Sequence, residues 1–456
     1  MKASVFVLAA AVLSVGNCLA APFEDGERVA FLGDSITQIG TGLHAIRCFY
    51  MTRYPDRHIK FYNCGIGGDT AKGGLWRFEK DVKPFNPTAI SVMFGMNDVK
   101  PDIYQLPEKR KPNYTAQIEA AEDRLFGVHT NAMTQLYEKM RAAFPRAEIY
   151  WCVPSMYDET AVMKTEWRGC HPGANAALGR LGHWIRRQCF KDGGTLVDFH
   201  ETMTDQTLWM QKGNPAYTLL NPDRIHPNTS GWAFMAYVFL KAQGVNPWVC
   251  DVEIDADKGE VRRCAYAKAG GLEKSDGKVT FRLAESTLPW VLPKWTEGVR
   301  SSLAIDRALN REMVAVTGLS AGTWELHVDG VNCGKWPAEE WAKGINFAAV
   351  RRTPMYQQSM KVTEKCGEYT YYEHDTFVAT ATMRLCFRDS KDVDFDNYES
   401  FKAYYERTSK GKGNKTEQAF LCWGKLDEVR AKLDALEQEA RDLSRPKERV
   451  WELVRK

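Results

Sequence analysis

The chain has 456 residues, 44% hydrophobic and 26% charged, an ordinary globular balance long enough for two or three domains with sizeable cores. A net charge of +3 spread over that length gives no basis for nucleic-acid binding.

Met1-Lys2 is followed by an apolar run from Val5 to Val15 and then by Gly16-Asn17-Cys18-Leu19-Ala20. One positive charge, a short apolar core and small residues at Cys18 and Ala20 have the pattern of a secretory signal, with cleavage expected after Ala20. The run is shorter than the ~20 apolar residues that span a bilayer, and no later stretch is long enough either. Residues 1–20 are therefore read as a signal peptide, and the chain as exported, periplasmic or extracellular, without a membrane span. Asn17 is a poor residue before a lipidated cysteine. Of 12 cysteines, losing Cys18 leaves 11, an odd number, so at least one stays free or pairs between chains. No C-x-x-C pair and no H-E-x-x-H helix occurs, so neither a metal site nor a cofactor is expected.

The first strand is Arg28-Val29-Ala30-Phe31-Leu32, a short apolar run of the kind buried in parallel sheets. Gly33-Asp34-Ser35 turns into a helical stretch from Ile36 to about Tyr54, with Ser35 at its N-terminus, where free backbone N–H groups favour negative charge. Ile59–Asn63 is a second strand and leads into the glycine-dense turn Cys64-Gly65-Ile66-Gly67-Gly68-Asp69-Thr70. Thr88–Phe94 is a third, ending in Gly95-Met96-Asn97-Asp98. A charged, Pro-containing loop follows. Its run Glu108-Lys109-Arg110-Lys111 is read as a solvated face. A helix is expected from about Thr130 to Ala143, a fourth strand over Ala147–Val153, a helix around Ala176–Phe190 and a fifth strand over Thr195–Phe199. Pro222-Asp223-Arg224-Ile225-His226-Pro227 then precedes an apolar helix from Gly231 to Ala242. Strands alternating with helices predict a parallel sheet covered on both faces, with sites at the carboxyl ends of its strands.

All the candidate chemistry falls on those loops. A serine hydroxyl needs a base to become a nucleophile, and His226 can be that base. The base needs a carboxylate to set its tautomer and stabilise the imidazolium, and Asp223 lies three residues away. The oxyanion formed on attack needs donors, which the backbone N–H groups of Ser35 and Gly68 and the amide of Asn97 can supply. Other histidines (His44, His58, His129, His171, His183, His200) are assigned no role.

These four stretches resemble the blocks of the SGNH, or GDSL, hydrolase superfamily, in its order. Gly33-Asp34-Ser35 matches the first, Gly67-Gly68-Asp69-Thr70 the second, Gly95-Met96-Asn97-Asp98 the third and Asp223-Arg224-Ile225-His226 the last. The resemblance covers roughly residues 27–245. It implies a three-layer, flavodoxin-like α/β fold and ester hydrolysis, with Ser35, Asp223 and His226 catalytic and Ser35, Gly68 and Asn97 forming the oxyanion hole. Two glycines precede Asp69, and alignment on Gly-Asp-Thr selects Gly68. The expected substrate is an acylated small molecule or polysaccharide, with O-acetyl esters on carbohydrate foremost. The rivals are a lipase or thioesterase for longer chains and a non-catalytic glycan-binding protein.

Asn246-Pro247-Trp248 marks the expected end of this domain, giving a hydrolase domain over 21–247. Short strands follow at Glu260–Ala267, Lys278–Leu283, Glu312–Thr317 and Trp324–Val328, the last joined by Asp329-Gly330 to Val331–Trp336. They predict a small β-sandwich over 248–350, with Trp290, Trp295 and Trp336 read as packing residues rather than a sugar platform. Residues 351–456 are expected to be helical. There Leu426, Val429, Leu433, Leu436, Ala440 and Leu443 form a stripe spaced by three and four that suits packing on a neighbouring helix of the same chain. Lys410-Gly411-Lys412-Gly413-Asn414, just before it, is expected to be a flexible cationic loop.

Overall fold

Burial on both faces explains the sequence of the first sheet. In β1 (Arg28–Gly33), Val29 and Phe31 enter the core on one side while Ala30 and Leu32 enter the core on the other. A computed structural model describes residues 21–165, 169–291, 300, 303–408 and 415–456; the signal-peptide reading, Trp295 and the 410–414 loop lie outside the described residues. β2 (Lys60–Gly65), β3 (Ala89–Met93), β4 (Glu148–Val153) and β5 (Thr195–Asp198) complete an all-parallel sheet in the order β2-β1-β3-β4-β5. That order reverses between β1 and β3, which opens a crevice at their carboxyl ends. The short α1 (Ser35–Gln38) and α2 (Thr41–Arg53) follow β1, α3 (Ala71–Asp81) follows β2, and α4 (Tyr114–Ala143) follows β3. α5 (Ala174–Asp192), α6 (Phe199–Gln211) and α7 (Thr229–Ala242) finish the domain. α2 and α7 cover one face, while α3, α4 and α5 cover the other.

Two helices differ from expectation. The single helix after β1 is broken at Gly40, whose φ of +76° leaves the helical region. The helix expected from Thr130 starts at Tyr114; Tyr114, Ile118, Ala121 and Leu125 carry the period of its first half, but they are only half-buried among largely exposed polar residues.

The sandwich begins at once after the domain boundary. β6 (Trp248–Asp255), β7 (Glu260–Ala265), β8 (Ala267–Ser275) and β9 (Lys278–Glu285) come first. After α8 (Ile305–Leu309) come β10 (Arg311–Thr317), β11 (Thr323–Val328), β12 (Val331–Pro337), α9 (Ala338–Lys343) and the two-residue β13 (Ile345–Asn346). Alternate residues Val252 and Ile254, Phe281 and Leu283, and Trp324 and Leu326 point into a shared core between two sheets.

The remaining chain forms α10 (Pro354–Glu373), α11 (Ala379–Cys386), α12 (Tyr398–Thr408), α13 (Lys415–Cys422) and α14 (Leu426–Ser444). α14 lays its stripe on α10, as expected. The boundary at 350 needs correction. The last residues are not helical but form β14 (Glu448–Arg455), which pairs with both β9 and β11 in the middle of the second sheet, order β12-β11-β14-β9-β8. Trp451 and Leu453 of β14 are fully buried there, so the sandwich core is closed only by the far end of the chain. Trp290 and Trp336 pack, the first donating Nε1–H to Ala45 O at 3.1 Å and the second meeting Trp341 and Phe347 edge-on. Among the described residues, no helix is long and apolar enough to cross a membrane.

Candidate active site

Gly33 is required where β1 turns. A Cβ there would lie 2.2 Å from Thr37 Oγ1 and 2.8 Å from Met93 O. The next residue, Asp34, is buried and caps α1 by accepting from Ile36 N at 2.9 Å, which leaves Ser35 at the rim of the crevice. Burial pushes the Asp34 carboxyl up to about 7.

The turn before α7 brings His226 to it. His226 Nε2 is 2.7 Å from Ser35 Oγ, and His226 Nδ1 is 2.5 Å from Asp223 Oδ2. The other oxygen of Asp223 accepts from Ile225 N and His226 N, both at 3.0 Å, so the carboxylate is held in one orientation. Burial alone would raise Asp223, but the hydrogen bonds from the His226 ring and these two N–H groups outweigh it and hold the carboxyl below its usual range. With Nδ1–H committed to Asp223, Nε2 faces Ser35 as an acceptor.

Across the crevice, Gly68 has φ +75°, and a Cβ added there would meet nothing within 4 Å, so the loop is open at this point. Among the described residues, no acceptor takes the backbone N–H of Ser35 or of Gly68. Asn97, at the end of β3, gives one amide hydrogen to Asp69 O at 2.9 Å, which fixes the group and leaves its second hydrogen free. Because α1 is only four residues long, these donors are individual N–H groups of tight turns rather than the end of a long helix.

The structure thus brings together Ser35, His226 and Asp223, and sets Gly68 and Asn97 on the loops beside them. Sequence reading quoted Asp69 and Asp98 within the blocks but missed their work. Asp69 accepts from Arg77 Nε at 2.7 Å and from Thr70 N at 2.8 Å, and Asp98 accepts from Ala71 N at 3.2 Å with His129 Nδ1 3.0 Å away. These contacts tie the second and third blocks to one another. Arg77 and His129 carried no signal in the sequence, since each is a lone polar residue in a helical stretch. His171 and His200 are held by carbonyls of Tyr104 and Asn175, away from Ser35. The 108–111 run lies in an exposed loop. Among the described residues, no group of three or more His, Cys, Asp or Glu could hold a metal ion.

Residues 31–233 match the model of the GDSL-like lipase/acylhydrolase family. That stretch is a GDSL-like acylhydrolase domain, and the chain continues beyond the matched residues with a C-terminal extension. A curated acetylxylan esterase from Geobacillus stearothermophilus is 35% identical over 111 residues, 21% of this chain and 50% of the esterase, so the chain spans half the length of that relative. The solved structure of a gut microbial diltiazem-metabolizing enzyme is 28% identical, with a TM-score of 0.86 over 96% of this chain and 99% of that one. The likeness in structure therefore includes the sandwich and the C-terminal helices.

Proposed function

We propose that the chain is an exported serine esterase that removes small acyl groups, O-acetyl above all, from a carbohydrate. The observation that carries this reading is the pair of contacts at 2.7 and 2.5 Å joining Ser35, His226 and Asp223 beside open donors. Ser35 Oγ attacks the ester carbonyl carbon while His226 Nε2 takes its proton. The oxyanion is met by the N–H groups of Ser35 and Gly68 and the Asn97 amide. The tetrahedral intermediate collapses, His226 returns the proton to the departing alkoxide, and an acyl-Ser35 ester remains. Water, deprotonated by His226, then attacks that ester and releases the acid and Ser35.

The family match and the acetylxylan esterase relative support acyl ester chemistry. The charged, apolar and small-residue pattern of residues 1–20 supports export. The relative named for metabolizing diltiazem favours a second reading, in which the substrate is a small free ester rather than a polymer. Initial rates on p-nitrophenyl acetate, octanoate and palmitate, with acetate release from a panel of acetylated glycans, separate these readings. Fast acetate-ester cleavage with acetate released from a glycan is the expected result. Cleavage of free acetate esters alone selects the second reading, and preference for eight or more carbons moves the function to the lipase class.

A further inference from the structure

Two buried polar chains leave the C-terminal extension and end on the backbone that carries the oxyanion donors. The first starts at Thr382 of α11. Its hydroxyl accepts from Gln38 Nε2 at 2.9 Å, and Gln38 is the last residue of the helix that Ser35 begins. Gln38 sits against the glycine loop so closely that a Cβ on Gly67 would lie 2.8 Å from its Oε1. Gln38 O in turn accepts from Asn63 Nδ2 at 3.0 Å, and Asn63 Oδ1 accepts from Gly65 N at 3.0 Å. Asn63 N is held by Glu373 at 3.0 Å, at the end of α10, and Glu373 is paired with Arg47 at 3.1 Å.

The second chain starts two residues along the same helix. Arg384 pairs with Asp81, Asp81 lies 3.9 Å from Arg77, and Arg77 donates to Asp69 Oδ2 at 2.7 Å and to Gly33 O at 3.0 Å. Asp69 is the residue after Gly68, and its carbonyl holds Asn97. Gln38, Thr382, Asn63, Glu373, Arg77, Asp81 and Asp69 are all buried. In such surroundings a complete hydrogen-bonded link is strong and costly to cut, whereas the Asp81–Arg77 step is an ion pair at 3.9 Å without a hydrogen bond.

We propose that α11 is a positioning element for the oxyanion hole, with Thr382 and Arg384 as positioning residues. Thr382 holds the Ser35–Gln38 turn against Gly67, and Arg384 acts from the other side by pairing with Asp81, whose charge faces Arg77, the residue that holds Asp69 and through it Asn97. The proposal rests on reading Ser35, Gly68 and Asn97 as the oxyanion donors. It goes beyond that reading because both residues lie outside the 31–233 region that matches the family. A positioning role predicts a loss in kcat, because displacing donors by fractions of an ångström weakens binding of the transition state more than of the substrate.

The test compares Thr382→Val, Arg384→Met and the double variant with Thr382→Ser and Arg384→Lys. Active sites are counted by fluorophosphonate labelling, so that kcat refers to folded, labelled enzyme. Each single loss should lower kcat per site by about 10-fold and the double by about 100-fold, a scale set by the effect of misplacing catalytic groups. KM should stay within about twofold, and Thr382→Ser should restore most of the rate. If the double variant keeps its kcat per labelled site, the helix is only interdomain packing and the proposal falls. A loss carried by KM, or no recovery with serine, overturns it equally. Failure of the underlying reading looks different: Asn97→Ala would then leave kcat unchanged whatever the α11 variants do.

Discussion

Two regions of this molecule bury carboxylates, and Asp223 in one and the glutamate pair in the other are treated in opposite ways. In the crevice, Asp223 receives hydrogen bonds from the His226 ring, Ile225 N and His226 N, and these overcome the burial that would raise it. In the sandwich core, Glu285 and Glu312 lie together beside Cys250, whose thiol donates to Glu285 at 3.3 Å. Burial pushes Glu285 up to about 7, and burial with the neighbouring Glu285 pushes Glu312 well above the carboxylate range. Burial alone therefore does not mark a reactive group. What distinguishes the crevice is a set of fixed donors that keep one carboxylate ionised next to a histidine hydrogen-bonded to it.

Removing that carboxylate's charge should have the largest effect. Asp223→Asn keeps the shape but no longer secures Nδ1–H toward Asp223, so kcat should fall by about 10⁴ with the fold intact, measured as initial rate beside a thermal melt. Next comes the donor side, where Asn97→Ala should lower kcat by about 10²–10³ with little change in KM. A rise in KM alone would make Asn97 a substrate contact instead.

The smallest effect is on stability and belongs to the sandwich. A carboxyl raised in the folded state binds more protons folded than unfolded between its ordinary value and its raised one. Its contribution is complete below the ordinary carboxylate range and is lost as pH rises through the folded value, about 7 for Glu285. Tm should therefore decline between about pH 5 and pH 8, and Glu312→Gln should flatten that decline, with Asp34, also raised to about 7, leaving a residual slope. Asp223, lowered in the folded state, acts in the opposite sense and loses its contribution only as pH falls through its depressed value. An unchanged slope in Glu312→Gln would remove the sandwich pair from the account.

The same contrast governs what could be read from the sequence. The hydrolase strands are continuous apolar runs because both of their faces are buried, and the site loops follow them directly, so Ser35, Gly68, Asn97, Asp223 and His226 could be placed without coordinates. The sandwich was legible only in its local pieces. β6 begins at Trp248, inside the stretch taken as a boundary, and β8 follows β7 after Tyr266 alone, at φ +59°. β14 alternates Trp451 and Leu453 inward with Val450 and Glu452 outward, but its partners β9 and β11 lie far back in the chain, and no local pattern names them. The links from Thr382 to Gln38 and from Arg384 to Asp81 are long-range in the same way. Polar residues on helices signal solvent unless their partners are known.

The central claim is that Ser35 is the nucleophile, and covalent labelling tests it most directly. The protein is treated with a fluorophosphonate and its adduct mapped by peptide mass spectrometry, alongside the activity of Ser35→Ala. The account predicts a single adduct on Ser35, none in Ser35→Ala, and esterase activity near background in that variant despite an unchanged melt. An adduct on another serine, or substantial activity left in Ser35→Ala, would contradict it.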